Sequence, residues 1–220
     1  MTQNFWFYLK NIFVHPIKAA RAIAMEKNLW PLIVVSSLLG ILPYWIIVLR
    51  GYQALGWGAF PYKQYYPHYF DPYWWEMLLV PVWGLVLGLS LSIPSTFLGK
   101  WLGGKASFTS VLAIVMLGSV VSLPIFVLVD LFIWNPQHVI EFAKTGVATQ
   151  AYLPGENWLV WFIQQSYAYF AMGWEAVVTL VGLTVVHRNR WYVNIPGIVI
   201  GNGIFITFLL LIKDYVALII

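Results

Sequence analysis

The 220-residue chain contains no cysteine, so disulfides, thiolate metal sites, a cysteine-borne lipid anchor and a cysteine nucleophile are all excluded. Charge is nearly as scarce. Asp, Glu, Lys and Arg make up 9% of the residues, against about 25% in an ordinary soluble domain. No Asn-x-Ser/Thr glycosylation acceptor occurs. No strand-like alternation or soluble repeat is apparent. Residues 1–28 are aromatic and basic and hold no apolar run ending in small residues. A cleaved signal peptide is therefore not expected, and the first apolar run should stay in the protein.

What fills the chain is apolar: 61% of it is hydrophobic. Five long runs stand out, at about 29–49, 73–98, 108–134, 157–186 and 193–212, the last extending to 220 on a generous reading. About 20 apolar residues at 1.5 Å per residue match the ~30 Å hydrocarbon core of a bilayer. Every backbone amide in lipid needs an internal partner, so runs of this length should be helices. The expected fold is an all-α polytopic bundle of five transmembrane helices over residues 29–220, preceded by an interfacial segment, 1–28. No room remains for a separate catalytic domain.

Lys and Arg set the expected orientation. Lys10, Lys18, Arg21 and Lys27 precede the first span, Lys100 and Lys105 join the second and third, and Arg188 and Arg190 join the fourth and fifth. Arg50, Lys63, Lys144 and Lys213 fall on the other side. This bias predicts a cytoplasmic N-terminus and a C-terminus outside.

Several segments invite a reading of their own. Phe5 to Lys27, broken at Pro16, can lay Ile12, Phe13 and Ile17 at the acyl boundary while Lys10, Lys18 and Arg21 meet anionic headgroups. The outer connection 51–75 is crowded with aromatics, among them Tyr65, Tyr66, Tyr69, Trp74 and Trp75. It reads either as a belt lying on the outer interface or as a protein-docking face. Gly84-x-x-x-Gly88 and Gly197-x-x-x-Gly201 supply small residues at the spacing that lets helix backbones approach, within the bundle or between copies. Pro94, Pro124 and Pro196 should kink helices or mark their ends.

Chemistry-bearing patterns are few. Gly99 to Ala106 nearly matches the phosphate-binding loop G-x-x-x-x-G-K-[ST], but Ala106 has no hydroxyl for magnesium and both flanks are spans. A tight turn is expected there instead of a nucleotide site. Glu175 lies well inside the fourth span, on one face with Gln164, Ala168, Ala171, Thr179 and Gly182. Such a polar and small stripe must face other helices or water. It is either a packing seam holding one satisfied carboxylate or part of a solute path. Glu76, Asp130 and Lys213 should lie near the outer surface and either pair or reach the interface separately. His68, His138 and Asp71 have no metal-ligand spacing. The serines have no evident His/Asp partner, so no hydrolase is expected.

Two stretches carry a resemblance. They are Phe13-x-x-Pro16-x-x-Ala19-x-Arg21-Ala22-Ile23 ahead of the first span, and Phe97-Leu98-Gly99-Lys100-Trp101-Leu102-Gly103-Gly104-Lys105-Ala106-Ser107-Phe108 between the second and third. With Pro124 in the third span and two spans after it, the chain resembles the Yip family, five-span Rab-interacting membrane proteins with bacterial and archaeal relatives. The resemblance implies a cytoplasmic N-terminus, five helices and a place in the cell membrane of a prokaryote. It carries over no functional residue, because the long acidic N-terminal region and the Asp-Leu-Tyr-Gly-Pro element of the eukaryotic members are missing. The expected function is non-enzymatic: organising membrane, or packing as an accessory or scaffold subunit against other membrane proteins. The alternative is a small-solute or ion transporter using the Glu175 stripe. The expected partners are the lipid bilayer and other membrane proteins; no cofactor, nucleic acid or nucleotide is expected.

Overall fold

The computed structural model describes residues 5–40, 42, 74–129 and 158–219. Tyr65, Tyr66, Tyr69, Asp130, His68, His138 and Asp71 lie outside the described residues. Trp74, Trp75, Glu76, Gln164 and Lys213 fall in helices described there by their backbone. Among the described residues the protein is all helical: α1 Phe5–Val14, α2 Pro16–Met25, α3 Trp30–Gly40, α4 Trp74–Trp101, α5 Phe108–Val120, α6 Leu123–Leu128, α7 Trp158–His187 and α8 Ile195–Ile219. A 3-10 turn, Trp191–Asn194, leads into α8.

Among the described residues three stretches are long and apolar enough to cross a membrane: Phe108–Ile125, Tyr169–His187 and Trp191–Phe208. The first is the hub of the bundle. Its helix starts cleanly because the Ser107 hydroxyl accepts the backbone N–H of Ser110 at 3.1 Å, satisfying one of the four donors left open at a helix start. From there to Val120, α5 is buried on all sides except at Ser119, with Val111, Leu112, Ile114 and Leu117 fully enclosed. Around it stand α3, α4 and α7. Neighbour directions alternate. Ser37 and Gly40 of α3 meet Met116 and Ser119 in ascending order, so α3 and α5 run parallel. Thr179 and Gly182 of α7 meet Gly118 and Ile114 in descending order, so α7 is antiparallel to α5.

Pro124 and Pro196 stand at the second positions of α6 and α8, where a missing N–H costs nothing. Pro94 instead sits inside α4, which runs on without a break. Proline at that position leaves the Ser90 carbonyl without its helical donor. Gly201 of α8 lies against that same carbonyl, with the oxygen 2.7 Å from where a Cβ would project.

The N-terminal segment folds onto the bundle instead of resting only on lipid. The chain breaks at His15-Pro16, and α2 packs on α7 and α5. Ala19, Ala20, Ala22 and Ile23 form its buried face; small side chains let the helix axis come close. Ile12, expected at the acyl boundary, is fully enclosed, whereas Ile17 and Val14 remain exposed. Across the two short helices the Tyr8 hydroxyl donates to Glu26 Oε2 at 3.4 Å. Burial and the neighbouring Glu26 carboxylate push the Tyr8 phenol up to about 12 from 10.0. A raised phenol pKa means the fold holds its proton more tightly than the unfolded chain. This contribution is complete below pH 10 and is lost as pH climbs to about 12. Wild type should therefore lose stability over that window in a micelle unfolding series, and Tyr8→Phe should lose less. Equal slopes in the two proteins would count against the pairing.

Candidate functional site

From Ala171 to Gly182 the α7 stripe faces the bundle. Ala171 is fully buried, Thr179 seats its hydroxyl at Gly118, and Gly182 takes the side chain of Ile114. Glu175 follows the same register, with Ser122 as the hydrogen-bonding neighbour of its carboxyl. Ser122 also donates to the Ser119 carbonyl at 2.8 Å. Among the described residues no cation pairs with Glu175.

Beside it lies a cavity of about 50 Å³, lined by Glu175, Ser37, Gly40, Gly84, Met116 and Ser119 among others. Ser37 donates to Met116 Sδ at 3.2 Å and Ser119 to the Met116 carbonyl at 2.8 Å, so two hydroxyl donors are already engaged. Toward the end of α7 at His187, the face turns dry: Val178, Leu183 and Val186 are buried side by side. The cavity, which Leu87, Leu91 and Val115 also line, is stopped on that side by close packing.

The two glycine pairs behave differently. At Gly197 an added Cβ would stand 2.6 Å from Ser95 Cα, and at Gly201 2.7 Å from Leu91 Cα, so α8 lies backbone-to-backbone on α4. Gly84 opens onto the cavity, and Gly88 is a notch filled by the thioether end of Met116 from α5. Gly88, Gly197 and Gly201 thus pack inside the molecule.

Sequence reading missed His187. Its ring is completely buried between Gly99 and Gly104 of the α4–α5 turn, and neither ring nitrogen has a hydrogen-bond partner among the described residues. Its carbonyl accepts the Lys105 N–H at 3.1 Å, tying this turn to the end of α7. Both helix ends close in the same way. Gly104 N–H bonds the Gly99 carbonyl and Gly103 N–H that of Lys100; Asn189 N–H bonds the Thr184 carbonyl and Arg188 N–H that of Val185. Each is a six-to-one and five-to-two bonded cap whose pivot takes a left-handed backbone. Gly103 fills that role at φ 89°, but at α7 the pivot is Arg188 at φ 55°. Arg188→Gly should therefore stabilise the protein by about 0.5–1 kcal/mol in reversible unfolding. No gain would mean that the Arg188 side chain offsets the backbone cost. The phosphate-loop likeness resolves into this glycine turn, which has helices on both sides and the His187 ring where the loop would cradle phosphate.

Comparison with family models, curated proteins and solved structures finds no match to this chain. Its class rests on the helices themselves. With three apolar helices of membrane-crossing length around a shared core, it is an all-helical membrane protein.

Proposed function

We propose that the chain is a Yip-like, non-enzymatic membrane protein that packs as an accessory or scaffold subunit against another membrane protein. In this reading it has five spans, a cytoplasmic N-terminus and an outer C-terminus, in a prokaryotic cell membrane. The observation that carries it is the length of α7. Its 30 residues measure about 45 Å at 1.5 Å per residue. Fitting that into a ~30 Å core would take a tilt of about 48°, beyond the ordinary 0–40° range. The apolar crossing window starts only at Tyr169. Gln164, Gln165 and Ser166 precede it, and beyond them Trp158 and Phe162 stand 65% and 53% exposed. An apolar helix end held above the polar triplet suits a protein neighbour better than water or lipid. The opposed directions of α5 and α7, with α3 parallel to α5, support the span count.

Mild-detergent isolation from native membranes, with mass spectrometry of what co-migrates, tests this reading. A stoichiometric membrane protein is expected, and Trp158→Ser with Phe162→Ser should release it. Recovery of the chain alone would overturn the subunit role. The second reading, transport, draws on the Glu175 chamber. Glu175→Ala should leave partner retention unchanged in a scaffold. In a transporter it should abolish flux in proteoliposomes while the protein still folds.

A further inference from the structure

A concave surface of about 690 Å³ lies where the α1–α2 corner meets α7. That is within the ~300–1,000 Å³ range of small-ligand sites. Its floor is apolar: Val14, Ile17 and Val181. Its rim carries the cations Lys18 and Arg21, with His15 beside them, all three exposed. Among the described residues no acid pairs with that charge. Neither α1 nor α2 carries an acid in its first turn, and Glu26, an acid close in sequence, is turned to the Tyr8 hydroxyl. Lys18 leans its ammonium toward the Phe7 ring, 5.5 Å from the centroid, which keeps the charge beside the groove. Arg21 makes no ion pair among the described residues.

The start of α2 adds to this field. His15 precedes it without a side-chain cap, so the positive end of the helix faces the same corner as Lys18 and Arg21. Depth completes the match. Val181 is six residues before the end of α7, about 9 Å along the axis from the turns that close the bundle. Headgroup phosphate would lie at the level of those turns, and the first methylenes of an acyl chain at the level of Val181.

We propose that this corner is a binding site for one anionic phospholipid, its phosphate between Lys18, Arg21 and the first turn of α2, its acyl chain along Val14, Ile17 and Val181. This assignment is independent of either functional reading. A lipid, and not a soluble phosphate, is the occupant because the floor is apolar at acyl depth and stays uncovered, with Val14 and Ile17 61% and 48% exposed.

Native mass spectrometry of the full chain, given equimolar phosphatidylglycerol and phosphatidylcholine, is the test. Wild type should retain the anionic lipid with a preference of about tenfold or more, as two basic side chains at a membrane surface imply. K18Q/R21Q should bring that preference close to parity. K10Q/K27Q removes the same charge from exposed positions outside the groove and should leave the preference within about twofold. Ile17→Asn, which spoils the floor but keeps the rim charge, should also lose the lipid. Matched melting profiles for all four proteins exclude misfolding as the cause, and a variant that fails this check is replaced by Lys18→Gln or Arg21→Gln alone. The assignment falls if wild type shows no preference or if K10Q/K27Q loses as much as K18Q/R21Q. It falls also if glycerol phosphate displaces the lipid as well as an intact phospholipid does, which would make this a soluble-anion site.

Discussion

Leucine in place of Gly201 is expected to unseat α8 from α4. The glycine Cα lies against backbone, not against a side chain that can swing away: Leu91 Cα and the Ser90 carbonyl both stand 2.7 Å from the position of an added Cβ. Relief would require the two helix axes to part over this contact, and Gly197, one turn earlier, would lose its approach to Ser95 with it. Lipid offers apolar groups as good as those lost, so close packing is the main attraction between such helices. Destabilisation should reach about 3 kcal/mol, the upper end for overpacking. Gly203 provides the control on the same helix, since nothing stands within 4 Å of its added Cβ. Gly203→Leu should change stability by no more than about 0.5 kcal/mol. Reversible unfolding in mixed micelles, followed by tryptophan fluorescence, compares the two. Equal effects would sink the backbone-contact account of the seam.

The second large effect concerns the slot that holds His187. Gly99→Ala would drive a methyl into the imidazole, 2.5 Å from Nε2 and closer still to Cε1. The ring has nowhere to turn, with Gly104 on its other side and its own carbonyl bound to Lys105. A cost of about 2–3 kcal/mol is expected. His187→Ala alone loses packing but also removes two buried nitrogens that have no hydrogen-bond partner among the described residues, so its cost should be smaller, near 1 kcal/mol. The decisive quantity is the double variant. If the clash is with the ring, Gly99→Ala should be nearly harmless once His187 is alanine, giving a coupling of about 1.5 kcal/mol or more in the cycle. Simple additivity would mean that the alanine strains α4 for some other reason.

How much of this was legible in the sequence differs by type of feature. The α7 stripe could be read because spacing of three and four places residues on one face whatever the neighbours are. Thr179, Gly182 and Glu175 accordingly turn to α5. The α4–α8 seam was legible for a related reason: small residues one turn apart signal approach regardless of the partner. Which glycine pair would meet backbone and which a side chain was not legible. That depends on Met116, a residue of α5 whose flexible end happens to fill the Gly88 notch. His187 was illegible because its slot is built from Gly99 and Gly104, far away in the chain, in a turn whose glycines also resembled a phosphate loop. The left-handed Arg188 left no trace, since arginine carries no preference for that backbone. At the N-terminus, the row of aromatics and lysines pointed to lipid and drew notice away from the plainer signal, the run of small residues at Ala19, Ala20 and Ala22.

Burial rises with apolarity along the three crossing stretches. The most apolar crossing stretch, Phe108–Ile125, is 67% buried within the molecule, whereas the least apolar, Trp191–Phe208, is only 17% buried. For biogenesis this has a definite meaning. The central helix is apolar enough to partition from the translocon into lipid unaided, before any neighbour exists to cover it. Helix α8 emerges after the other two and has the weakest tendency of the three to enter lipid. By then α4 is already in place, and its Ser90–Ser95 surface is ready to receive Gly197 and Gly201. The glycine seam then works as a retention device during synthesis, so that a leucine at Gly201 would show itself first as chains whose C-terminal helix fails to stay in the membrane.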